Sequence, residues 1–153
     1  MANSGFQAIA PDQGEHVWFM GGRTTIKADD ALGVVAEHTC ARDFATPLHV
    51  QPEDDEAFYV LFGRVTFEVA GQRLVAEPGA YVHIPAGAPH AFRVDSDEAR
   101  LLNLTTAQHG RFFRQAGEPV TAASEHAAPA PDMARVMAAA LACNVEVVGP
   151  PLT

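Results

Sequence analysis

An all-β fold with a short helical tail is the class this 153-residue sequence predicts, and three observations carry it. Apolar and polar residues alternate over short runs, as in Val65–Val69, where Val65, Phe67 and Val69 share one face and Thr66 and Glu68 the other. Glycine and proline punctuate these runs as far as about residue 106. Beyond that point the apolar period lengthens to that of a helix. Short strands at such spacing argue for a sandwich or barrel, not a parallel α/β sheet.

Each element follows in order. His16–Met20 and Thr24–Lys27 read as strands on either side of Gly21-Gly22, and Val34–Thr39 as a third. Ala57–Phe62 and Val65–Val69 are expected to pair as a hairpin across the two-residue link Gly63-Arg64. Gly71-Gln72 turns the chain into Leu74–Ala76; Tyr81–Ile84, Ala91–Val94 and Leu101–Thr105 complete the series. His109–Gln115 predicts a helical turn or two closed by Gly117, with Phe112 and Phe113 as anchors or as cover for a barrel mouth. An irregular Ala/Pro-rich crossing spans 118–131. From Asp132, residues Met133, Val136, Met137, Ala140 and Leu141 form one apolar helical stripe, closed by Asn144. Val145–Val148 then reads as a last strand. The tail is expected to pack over the barrel with its methionines in the core, since a thioether suits copper better than an imidazole–carboxylate site.

Composition narrows the function classes. A hydrophobic fraction of 48% and a charged fraction of 19% belong to a globular chain sized for one core. One lysine and nine arginines leave a net charge of −9, with no basic stripe to meet a phosphate backbone, so no nucleic-acid partner is expected. The first sixteen residues lack the basic and apolar regions of a signal peptide, and no apolar run nears the roughly 20 residues that span a bilayer. Cys40 and Cys143 lie far apart, as a reduced pair would. A cytoplasmic protein with no membrane partner is the expectation.

The chemistry concentrates in Leu48–Gly63, LHVQPEDDEAFYVLFG, and in Gly79–His90, GAYVHIPAGAPH. An imidazole and a carboxylate at one strand's start, His49 and Glu56, and a second imidazole, His90, beyond a tight turn suit one divalent metal. Strand alternation sends Glu56, Phe58, Val60 and Phe62 to one face, and Tyr59 and Leu61 to the other. An unpartnered carboxylate inside a barrel costs several kcal/mol or takes up a proton. A bound cation removes that cost; so does an internal bond to His49 or His90. Gln51 offers a neutral hard oxygen, and three roles stand open for it: ligand, hydrogen-bond partner of a ligand or metal-bound water, or mark of a barrel that has lost its metal. As a ligand it favours iron, manganese or nickel over zinc or copper. His38 is placed to reach the interior. His83 reads as structural, and His16, His109 and His126 as surface residues.

These two stretches resemble the paired motifs of the cupin superfamily. His49, Glu56 and Gly63 fall in register with the first, and Gly79, Pro85, Gly87 and His90 with the second. Three positions depart: Asp43 and Gln51 stand where the first motif has glycine and its second histidine, and Val94 where the second has asparagine. The resemblance implies a single jelly-roll domain over 1–153. Its barrel core is about 33–106, with N-terminal strands at 16–27 and a helix and tail at 109–153. The segments EDDEAFYVL, IPAGAPHAFRV and LLNLTT further resemble small bacterial quercetin dioxygenase-like cupins. That likeness implies a metal-dependent dioxygenase acting on a flavonol-like or other enolisable small molecule. His49, Gln51, Glu56 and His90 would hold the metal, and Glu56 would accept the substrate hydroxyl proton. Phe58, Val60, Phe67, Phe92 and His38 would form the substrate pocket. A homodimer is implied too. Two other readings share the fold: a metal-dependent isomerase, cyclase or lyase, and a non-catalytic binding barrel.

Overall fold

The computed structural model describes residues 6–153; residues 1–5, the start of the stretch read for a leader, lie outside it. Its strands are β1 (Glu15–Phe19), β2 (Gly22–Asp30), β3 (Gly33–Ala41), β4 (Pro47–Val50), β5 (Glu56–Phe62), β6 (Val65–Val69), β7 (Gln72–Ala76), β8 (Tyr81–Ile84), β9 (His90–Val94) and β10 (Glu98–Thr105). Helix α1 (Ala107–Ala116), strand β11 (Glu118–Pro119), helix α2 (Met133–Ala142) and strand β12 (Glu146–Pro151) follow. Two antiparallel sheets result, ordered β11-β1-β2-β3-β10-β5-β8 and β12-β4-β9-β6-β7. This is the predicted all-β architecture, and a jelly roll fits it. No helix among the described residues is long and apolar enough to cross a membrane.

One core lies between the sheets, built from inward residues of both: Phe58, Val60 and Leu101 from the first, Val65, Phe67 and Phe92 from the second. A second cluster joins the tail to the first sheet, with Phe112, Phe113 and Val136 on Phe19, Ile26 and Val34. The tail thus packs over the barrel, as its amphipathic pattern requires.

Several expectations are corrected. Ala57–Phe62 and Val65–Val69 do not form a hairpin: β5 pairs β10 and β8, while β6 pairs β7 and β9 in the other sheet. Gly63-Arg64 is a crossing between layers, which lets Val60 and Val65 face one interior. Gly63 has φ 82°, and a Cβ there would lie 2.2 Å from the Glu98 carbonyl oxygen, so only glycine fits. Phe62 leaves the interior face and is 54% exposed, because a register shift against Arg100/Leu101 skips Leu61 and reverses the alternation. Strand β4, which carries His49, has too short an apolar run to be read from sequence.

Helix α2 starts at Asp132, whose side chain accepts from the Arg135 backbone N–H, but it buries only one edge of its stripe. Val136, Ala139 and Ala140 are buried, whereas Met133, Met137 and Leu141 are exposed. The small alanines let α2 lie close to its neighbours, which rolls the methionines out of the core. Asp43, at the motif's glycine position, has φ 67°, a left-handed backbone that glycine adopts most easily.

Candidate metal centre

Strand pairing assembles the site. β4 and β9 run antiparallel with His49 opposite His90, and their rings stand 4.2 Å apart. Each ring is oriented in the same way: His49 Nδ1 donates to the Pro47 carbonyl at 2.7 Å and His90 Nδ1 to that of Ala88 at 2.9 Å. With Nδ1 so engaged, Nε2 of each ring is the nitrogen left for the site. Glu56 opens β5 in the facing sheet and is 3% exposed. One donor atom from each of His49, Glu56 and His90 lies within 4.8 Å of the other two. Two imidazole nitrogens and one carboxylate at that separation suit a divalent ion.

The Glu56 carboxylate accepts from three groups. Asn103 Nδ2 donates to Oε1 at 2.7 Å, while Gln51 Nε2 at 3.0 Å and His90 Nε2 at 3.1 Å reach Oε2. Burial alone would raise its pKa, but the imidazoles of His109 and His90 outweigh that and hold the carboxyl well below its usual range. Burial also opposes charge on His90; the bond and charge of Glu56 overcome it and raise that histidine's pKa. Burial, and next the charge of His90, lowers His49 to about 4. Glu56 and His90 therefore form a buried ion pair beside a neutral His49. A cation drawn to Glu56 would take the place of the proton on His90.

The donor set, two imidazoles and one carboxylate converging in a buried site, fits one divalent ion. Gln51 is 1% exposed and its Oε1 has no hydrogen-bond partner. Its amide nitrogen, not its oxygen, faces Glu56; an exchanged amide would set oxygen against an ionised carboxylate. His49, Glu56 and His90 would hold the metal, and its presence would supply Lewis acidity.

Above these residues lies an apolar cavity. Phe58, Phe92 and His38 line it, together with Phe44. Val60 and Phe67 are fully buried in the core and are not among its lining residues. His38 Nδ1 is 2.8 Å from Thr24 Oγ1, and burial above all lowers its pKa to about 4. Phe112, Phe113, Val136 and Ala140 of the tail close the cavity's other side. His83 is exposed and bonds Asp55, in keeping with a structural role.

Two site residues escaped the sequence reading. Asn103 shares the inward face of β10 with Ala99 and Leu101, all fully buried, so strand alternation was signal enough. His109, expected at the surface, is 2% exposed. It is buried with Phe112, Phe113 and Ala116, at i, i+3, i+4 and i+7 of α1, a helical face that could have been read. His109 Nε2 lies 3.1 Å from Gln51 Nε2 and 3.4 Å from Glu56 Oε1.

Comparison with known proteins agrees with this architecture. Residues 39–105 match the family model described as Cupin domain. A 61-residue stretch, 40% of the chain, is 39% identical to quercetin 2,3-dioxygenase from Bacillus subtilis, and it spans 18% of that protein's length. Among solved structures, a predicted oxalate decarboxylase from Thermotoga maritima has a TM-score of 0.58 at 13% identity, over 65% of this chain and 98% of the other. KdgF from Halomonas sp. scores 0.54 at 18% identity, over 65% and 82%. A sugar phosphate isomerase of the cupin superfamily from Silicibacter pomeroyi scores 0.52 at 22%, over 56% and 59%. At such identities these structures speak to fold alone. Motif, sheet topology and family match agree: residues 39–105 match a cupin domain model, and the chain resembles quercetin dioxygenase-like proteins.

Proposed function

We propose that this protein is a metal-dependent, dioxygenase-like oxidoreductase acting on a small enolisable or aromatic, flavonol-like substrate. The observation that carries the reading is the His49–Glu56–His90 group set against an aromatic cavity. Phe58 and Phe92 would grip the apolar body of the substrate while its hydroxyl points at Glu56. Glu56 is the acceptor for the hydroxyl proton. The donors on its carboxylate keep it ionised for that role, though a pKa held this low makes it a modest base. Phe112 and Phe113 keep bulk water from that end of the cavity. The short segment matching quercetin 2,3-dioxygenase supports the oxidative chemistry.

The test has two arms. Metal content is measured on protein reconstituted with iron, manganese or nickel, alongside Glu56→Ala and His90→Ala. Wild type should hold close to one ion per chain, and each variant at least about tenfold less while remaining folded. Equal content in all three would sink the metal site. Oxygen uptake with quercetin is followed next. Consumption of oxygen supports a dioxygenase; turnover of enolic substrates under anaerobic conditions favours the isomerase, cyclase or lyase class instead.

A further inference from the structure

Position 51 is where the first motif has its second histidine, and here it holds an amide whose nitrogen faces the site. An amide nitrogen has no lone pair to give a metal. Gln51 Nε2 makes two contacts, donating to Glu56 Oε2 at 3.0 Å and reaching His109 Nε2 at 3.1 Å. Nε2 of His109 cannot both accept from Gln51 and donate to Glu56. Whichever of the two it makes, Nε2 is the ring nitrogen of His109 that is turned into the cluster. Glu56 thereby sits between two imidazoles, with Oε2 toward His90 and Oε1 toward His109.

From this geometry we infer that His109, delivered from helix α1, supplies the site's third imidazole, and that Gln51 is a positioning residue between Glu56 and His109. The inference rests on the metal reading above. His109 stands outside the trio whose donor atoms all lie within 4.8 Å of one another, so it joins that trio through its Glu56 edge. Its burial is costly without such a role. His109 Nδ1 is buried with no hydrogen-bond partner, a deficit tolerated where the opposite nitrogen has a strong one. The helix is also anchored to hold it. Asp54, buried in the loop before β5, accepts from Thr106 Oγ1 at 2.5 Å and from Gln108 Nε2 at 3.0 Å. Thr106 in turn caps α1 by accepting the His109 backbone N–H. Three nitrogen donors and one carboxylate would shift the ion preference expected of a glutamine ligand toward the nitrogen-loving ions copper and zinc.

Untagged protein loaded with one equivalent of copper(II) gives the test. Pulsed electron paramagnetic resonance counts coordinated imidazoles in wild type, His109→Gln and Gln51→Ala, and competition with a chelator ranks their affinities. Three imidazoles are expected in wild type, two in His109→Gln and three in Gln51→Ala. The affinity of His109→Gln should be at least about tenfold below wild type. A count of two in wild type, unchanged by His109→Gln, overturns the inference and leaves the metal site standing. Failure of folded wild type to bind copper overturns both, and the wild-type count decides the matter even if a variant does not fold.

Discussion

At His38 a single buried imidazole gives the fold a measurable pH dependence. Its pKa of about 4 in the folded chain lies below the 6.5 of an ordinary histidine. Between those values the unfolded chain binds more protons, so stability rises with pH through the window. The contribution is complete above about pH 6.5 and is lost as pH falls toward 4, on the order of 3 kcal/mol in all. With a chelator present, urea midpoints of wild type should fall more steeply over this range than those of His38→Gln. Parallel curves would contradict the assignment. Residues of this kind were partly legible in the sequence. His49, Glu56 and His90 could be named because their spacing is local and their strand faces follow a period of two. His109 could not be joined to Glu56, because that juxtaposition is made by the docking of α1, far away in sequence, and not by any motif.

Elements were easier to read than their partners. β6 and β8 have the predicted bounds, and β5, β9 and β10 differ from them only at the first strand end. The hairpin failed because Gly63-Arg64 has the chemistry of a tight turn and of a layer crossing alike, and only the closing contact with Glu98 distinguishes them. The Met133/Met137/Leu141 edge of α2 failed because helical period gives a stripe's position but not how wide a strip its neighbours will cover. Helix α1 is the element on which the site leans. A Cβ on Gly110 would lie 2.7 Å from Val34 Cγ2 on β3, a buried β-branched side chain with no room to turn. Gly110→Ala gains roughly 1 kcal/mol of helix propensity but incurs about 1–3 kcal/mol of overpacking, so a net loss near 1 kcal/mol is expected. Thermal unfolding should register it as a drop of a few degrees; an unchanged or higher midpoint would mean that Val34 yields.

For the whole molecule, the open rim of the larger sheet is the feature that invites a partner. β8 is an edge strand, and Tyr81 upon it stands 61% exposed beside Tyr59, with Leu61 and Phe62 uncovered farther along β5. Edge strands with apolar neighbours favour pairing with another chain. Association of two copies along this rim is our proposal, and sedimentation as a monomer at micromolar concentration would refute it. The opposite flank has a different consequence. β4, the strand of His49, lies between β9 and β12, so the last of the described strands seals the one that presents an imidazole to the candidate metal site. During synthesis, the barrel strands through β10 would leave the ribosome well before β12 does. Until Pro151 emerges, β4 is a bare edge, and the site residue it carries, His49, is held from one side only. Premature metal capture by a half-made barrel is thus disfavoured, and loading would follow the pairing of β12 with β4.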